Sequence, residues 1–115
     1  MPKNIREIIA AKLTELHNID AVGPNRASEI LVELSALLGS INKECSDREF
    51  FFNLRKLEFL KESGIVGKAT IEANATPEFQ QFKEAIAYQK AVIESMRAIK
   101  YYLRRVGEEQ RESAY

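Results

Sequence analysis

The sequence has one cysteine, one histidine, three prolines and no excess of either charge sign. Each shortage excludes something. Cys45 has no second cysteine to join, so no disulfide forms within the chain, and the composition suits a reducing compartment. A zinc centre needs several Cys and His ligands. His17 has no glutamate three residues before it, as a metal site inside a helix bundle would want. No metal and no cofactor is therefore expected. Lysine plus arginine number 17 and aspartate plus glutamate 17, so the formal net charge is zero. That sum argues against a strongly basic, non-specific coat for DNA. It leaves room for a basic stripe balanced by acidic faces elsewhere, so distribution decides. No apolar run approaches the ~18 residues of a membrane span, and no membrane partner is expected. Met1-Pro2-Lys3-Asn4 lacks the apolar core of a secretory signal, which points to the cytoplasm.

Catalytic signatures are equally scarce. There is no Gly-x-Ser-x-Gly elbow. Gly64-x-x-Gly67-Lys68 lacks the rest of a phosphate-binding loop. Glu108, Glu109 and Glu112 are similar to the acidic cluster of some magnesium-dependent nucleotide hydrolases, but no second acidic set follows them, and they read as a solvated helix end. The expectation is a protein that is not an enzyme.

What is present is helical periodicity. At 115 residues the chain is one domain by length, and 45% hydrophobic residues allow a real apolar interface. A first helix is expected over about residues 5–17. Asn4 with Glu7 three residues later is a capping-box signature, and Ile5, Ile8, Ile9, Leu13 and Leu16 fall on one face. The residues from His17 to Pro24 read as a connection. A second helix is expected over about 25–63, with Pro24 suited to its first turn. Leu31, Leu38, Cys45, Phe52 and Phe59 recur every seven residues. A second such row, Ala27, Leu34 and Ile41, fails at Arg48 and Arg55. Gly39-Ser40, or a new cap at Ser46 with Glu49, are places where this helix could break. The apolar row passes both in phase, so continuity is expected, at ~58 Å. Cys45, inside that row, reads as a buried structural thiol.

Residues 64–75 read as a loop. Gly64 and Gly67 punctuate it, and Ile65-Val66 and Thr70-Ile71 lend some β propensity, so a short hairpin or a mobile loop would both fit. A third helix is expected over about 77–109, with Thr76 as N-cap and Pro77 in the first turn. Phe82, Ala85, Ile86, Val92, Ile93, Met96, Ile99, Leu103 and Val106 give it a broad apolar face. The polar end, from Glu108 on, is expected to fray. The fold class is thus all-α: a short N-terminal helix plus a long antiparallel helical hairpin. A slender hairpin has a poor surface-to-volume ratio, so it is expected to oligomerise through its helix faces. Leu31, Leu38, Phe52, Phe59, Phe82, Ile93, Met96 and Leu103 are the expected interface.

Lys83, Lys90, Arg97, Arg104 and Arg111 recur every seven residues along the third helix. Arg105 and Lys100 lie beside this row, and Tyr101 follows Arg97 by one turn. One reading is a solvated face, with Lys90–Glu94, Glu94–Arg97 and Arg104–Glu108 pairs worth a few tenths of a kcal/mol each. Pairing with Glu44, Glu58 or Glu62 of the second helix or of a neighbour is another. The functional reading is phosphate contact, since single strands are bound by positive grooves with aromatic platforms.

Two segments carry a family resemblance. One is Leu54-Arg55-Lys56-Leu57-Glu58-Phe59-Leu60-Lys61-Glu62-Ser63-Gly64. The other is Val92-Ile93-Glu94-Ser95-Met96-Arg97-Ala98 with Tyr101-Tyr102-Leu103-Arg104-Arg105-Val106. Together they resemble UvsY-type recombination mediators of tailed phages, over about residues 27–109. The N-terminal helix lies outside the resemblance. It implies rings that bind single-stranded DNA and help a RecA-type recombinase displace the single-strand-binding protein. It also implies a host cytoplasm if the chain is phage-encoded. By position, Arg55 and Lys56, with Lys61 near them, are the implied DNA contacts. Lys90, Arg97, Arg104 and Arg105 join them from the charge row. The alternative is a helical protein-interaction module, a scaffold, an adaptor or an inhibitor of a host enzyme, that ignores DNA.

Overall fold

In a computed structural model, which describes residues 4–113, the chain is all-α, with no strand among the described residues. Expectations placed on Pro2, on the first three residues and on the last two residues of the polar tail lie outside the described residues. The helices are α1 (Ile5–Glu15), α2 (Ile19–Val22), α3 (Pro24–Ser63), α4 (Val66–Asn74) and α5 (Pro77–Ser113). A 3-10 turn, Leu16–Asn18, joins α1 to α2. Among the described residues no helix is long and apolar enough to cross a membrane.

The helix ends follow local chemistry. Asn4 Oδ1 accepts from the Glu7 amide at 2.8 Å, and the Asn4 side-chain amide donates to Glu7 at 3.4 Å. At the α2–α3 junction Gly23 has φ 85, a conformation open to glycine, and its carbonyl accepts from the Ala27 amide at 3.0 Å. Gly64, at φ 68, ends α3 with its amide donating to the Leu60 carbonyl at 2.7 Å. That is the single-bond left-handed cap. Before α5, the Thr76 hydroxyl accepts from the Phe79 amide at 3.4 Å and donates to the Ala73 carbonyl at 2.6 Å.

Three expectations change. The 64–75 segment is neither loop nor hairpin: it is the nine-residue helix α4. Ala69 and Ala73, four apart, are its buried residues at 1% and 0% exposure, while Ile65, Val66 and Ile71 are exposed. The burial of these two small side chains on one side of the helix outweighs the β propensity of its aliphatics. The expected connection after residue 17 is mostly helical, with α2 following the 3-10 turn. The tail continues as helix to Ser113.

Contacts divide the chain, expected as one domain, into two compact units: residues 1–39 with 90–115, and residues 40–89. Both α3 and α5 run unbroken through the division, which on α3 falls at Gly39–Ser40. The core of the first unit is Ile9, Ala27, Ile30, Leu34, Val92, Ile99 and Tyr102. Full burial of each large aliphatic contributes about 1.5–3 kcal/mol. Charges link the same helices. Arg26 grips both Glu15 oxygens, at 2.6 and 2.9 Å, and reaches Glu29 at 3.1 Å and Glu33 at 3.4 Å. Lys12 also bonds Glu33. The Arg26 hydrogen bond holds Glu15 below the usual carboxylate range, and the Lys12 hydrogen bond does the same for Glu33.

In the second unit the core is Ile41, Cys45, Phe52, Ala69, Ala73 and Ala85. Phe52 lies 5.1 Å from Phe79 and 5.9 Å from Phe82, centroid to centroid. Asn42 accepts from Gln89 at 2.7 Å, and Arg48 donates to Gln81 at 3.0 Å. Numbers rise on one helix as they fall on the other, so within this unit the two segments run in opposite directions. Burial pushes the Cys45 thiol up, with the Glu44 and Glu49 carboxylates adding to the effect.

The buried stripe of α3 changes rows. Ala27, Leu34 and Ile41 are buried at 0%, 0% and 2% exposure, then Cys45 and Phe52 take over. Each seven-residue step on a straight helix falls ~20° short of full turns. Staying in one row would rotate the stripe steadily around the helix. The four-residue step from Ile41 to Cys45 turns it back, and the abandoned row continues with Arg48 and Arg55.

Candidate nucleic-acid interface

On α5 the buried positions Ala85, Val92 and Ile99 recur every seven residues, and the basic row lies on the opposite side of the helix. Lys90, Arg97, Arg104 and Arg111 are all exposed and all belong to the first unit. None of them makes an ion pair among the described residues. The pairs Lys90–Glu94, Glu94–Arg97 and Arg104–Glu108, which would have neutralised the row, are not formed. Lys100 is exposed on the same side, and the Tyr101 ring is 67% exposed. Glu94 and Glu108 share this side, leaving Lys90, Arg97, Lys100, Arg104 and Arg111 in excess. The arrangement offers unpaired cations about 10 Å apart along the axis, with an aromatic face between two of them.

The other expected DNA contacts differ in their state. Arg55 is half-buried, pairs with Glu58 at 2.5 Å and lies 4.7 Å over the Phe59 ring. The Glu58 hydrogen bond raises its pKa further, fixing the charge. Lys56 is half-buried, its ammonium 5.1 Å over Phe52. Both cations cover aromatic rings of their own unit. Lys61 is exposed and unpaired among the described residues. Arg105 bonds Asp20 at 2.5 Å and sits 5.7 Å from the Tyr102 ring. Lys83, at the start of the row, stands 5.3 Å over Phe79. Arg55, Lys56 and Lys61 belong to the second unit, and Lys90, Arg97, Arg104 and Arg105 to the first.

The expected interface residues also sort by burial. Leu31, Leu38, Ile93, Met96 and Leu103 are half-buried in the first unit, and Phe59 and Phe82 in the second. Phe52 is 6% exposed, so it is a core residue of its own chain rather than a surface for another. α3 also exposes large apolar side chains that were not expected: Val32 in the first unit, and Phe50, Phe51, Leu54 and Leu57 in the second. The signal of Phe50, Leu54 and Leu57 was in the sequence, as an apolar set at i, i+4 and i+7 on the side opposite the main row. An open groove of about 300 Å³ adjoins them, lined by Arg48, Phe51, Leu54, Arg55, Glu58, Glu78 and Gln81. Among the described residues no group of three or more His, Cys, Asp or Glu is placed to hold a metal ion. His17 is exposed in the 3-10 turn.

Compared with protein-family models, with curated proteins and with solved structures, the chain matches none.

Proposed function

We propose that this protein is a non-enzymatic, oligomeric single-stranded DNA-binding recombination mediator of the cytoplasm, built on a long helical hairpin. The observation that carries the reading is the state of the α5 row. Lys90, Arg97 and Arg104 are exposed and free of carboxylate partners among the described residues, with Tyr101 among them. Cations already neutralised within the chain release few counterions on meeting phosphate; free ones release the most. A stacking ring between cations suits bases of any identity. Oligomerisation multiplies the stripe and supplies the charge density that a chain of zero net charge lacks. Arg55, Lys56 and Arg105 serve mainly to hold their own helices. Help in loading a RecA-type recombinase is the role that the resemblance to UvsY-type mediators supplies.

The exposed apolar side chains of α3 favour a second reading, a helical protein-interaction module with no affinity for DNA. Fluorescence anisotropy of a labelled oligothymidylate at low salt separates the two. The DNA reading expects saturable binding that weakens steeply as salt rises. Absence of binding at low salt removes that reading and leaves the second.

A further inference from the structure

α3 carries two apolar faces. Cys45 and Phe52 turn inward, to 8% and 6% exposure. On the other side Phe50, Phe51, Leu54 and Leu57 keep 59%, 51%, 42% and 45% of their surface in water. Phe50 and Phe51 also touch edge to face, with centroids 5.8 Å apart. Four large apolar side chains within eight residues form a patch, and patches of this kind mark a surface built to be covered.

The charges at its two ends identify what covers it. Asp47 lies seven residues before Leu54 and Lys61 seven residues after it. Steps of seven keep all three on one side of the helix. Both charged residues are exposed, and neither has an ion-pair partner among the described residues. Asp47 and Lys61 thus flank the apolar middle with opposite charges, with Leu54 at the midpoint; beyond Asp47 on the same side lies the exposed Lys43, and Glu58, between Leu54 and Lys61, is held by Arg55. Such a strip is complementary to itself when turned end over end.

We propose that this face of α3 pairs with the same face of a second copy, antiparallel, about a two-fold axis at Leu54. Each Asp47 then meets the partner's Lys61, and the contact occurs twice, as an isologous interface requires. Phe50, four residues before the axis, lies beside the partner's Leu57, three residues after it, and Leu54 meets its own symmetry mate. The parallel alignment would set Asp47 against Asp47 and Lys61 against Lys61, so the charges select the antiparallel one. The pairing fills in the oligomer part of the proposed function with a named face and stands apart from its DNA part. The patch is small, which places the association in the weak, concentration-dependent class.

The test is molar mass in solution, by sedimentation equilibrium over a wide concentration range and without DNA. The wild-type chain is expected to form species of even copy number. Leu54→Glu is expected to abolish them with the helical circular dichroism unchanged. Asp47→Lys and Lys61→Asp, each alone, are expected to weaken association by about tenfold or more, and the double reversal to restore it. In a Cys45→Ala background, Leu54→Cys is expected to join two copies by a disulfide under mild oxidation. Facing helices 8–10 Å apart bring such positions within bonding reach. In the same background Lys61→Cys, about 21 Å from its mate along the helices, is expected to stay unjoined. A wild-type monomer at every concentration overturns the proposal. So does a double reversal no better than its singles, or joining through position 61 rather than 54. None of these readings uses DNA, so their failure leaves the oligonucleotide titration to its own result.

Discussion

Replacing Lys90, Arg97 and Arg104 together with alanine is expected to lower single-stranded DNA affinity about a hundredfold, while the protein stays folded. Each lost phosphate contact costs about 1 kcal/mol, ~3 kcal/mol in all, and about 1.4 kcal/mol is tenfold in affinity. The same variant is expected to flatten the dependence of log Kd on log salt by about 2, since each single-strand phosphate contact contributes ~0.7. All three side chains are exposed and unpaired among the described residues, so their loss touches no packing. Surface changes of this sort cost within about 0.5 kcal/mol of stability. Arg55→Ala and Arg105→Ala make the contrast. Each removes an ion pair within its own unit, Glu58 in one case and Asp20 in the other. Their effect on DNA is expected to be smaller than that of the row. If the triple variant binds as the wild type does, in affinity and in salt slope, the α5 row is not the contact surface.

Phe52→Ala is expected to destabilise the fold by about 3–5 kcal/mol. That is a large part of the ~5–15 kcal/mol by which a domain is usually stable. Phe52 is 6% exposed and touches two further rings, at 5.1 and 5.9 Å. Truncation opens a cavity and loses the ring contacts, each worth about 0.5–1.5 kcal/mol beyond area. It also strips Lys56 of the ring beneath its ammonium. Leu54, two residues on and 42% exposed, is expected to tolerate alanine within about 0.5 kcal/mol. Urea denaturation of both variants checks the pair. Should Phe52→Ala leave the unfolding midpoint unchanged and only alter the oligomer mass, Phe52 is an interface residue after all.

These two expectations mark how far the residues alone could lead. The helices were legible because their signals are local. Asn4 with Glu7, Thr76 with Pro77, and glycine at 23 and 64 act within one turn, and the seven-residue rows repeat often enough to fix the period. α4 was not legible. Its glycines and aliphatics point to loop or strand, while the feature that favours a helix is the burial of Ala69 and Ala73 on one side, a matter of tertiary fit. In the seven-residue row through Phe52 only Cys45 and Phe52 are buried, with Leu31, Leu38 and Phe59 half-buried, and periodicity cannot say whether a stripe meets its own chain or another. The step from Ile41 to Cys45 depends on helix geometry over several turns, and the Arg105–Asp20 bond joins residues far apart in sequence. For the site, the sequence located the cations of α5 and left their pairing open. It took side-chain placement to separate Arg97 and Arg104, which are unpaired among the described residues, from Arg55 and Arg105, which are engaged.

The central claim is that the outward side of α5 meets single-stranded DNA. The most direct test is to follow the backbone amide chemical shifts of labelled protein as an oligothymidylate is added. The account predicts the largest changes around Lys90, Arg97, Tyr101 and Arg104, with little change around the core positions Phe52 and Ala69. Saturating DNA that leaves residues 90–111 unmoved, or shifts only the 50–57 face of α3, would contradict it.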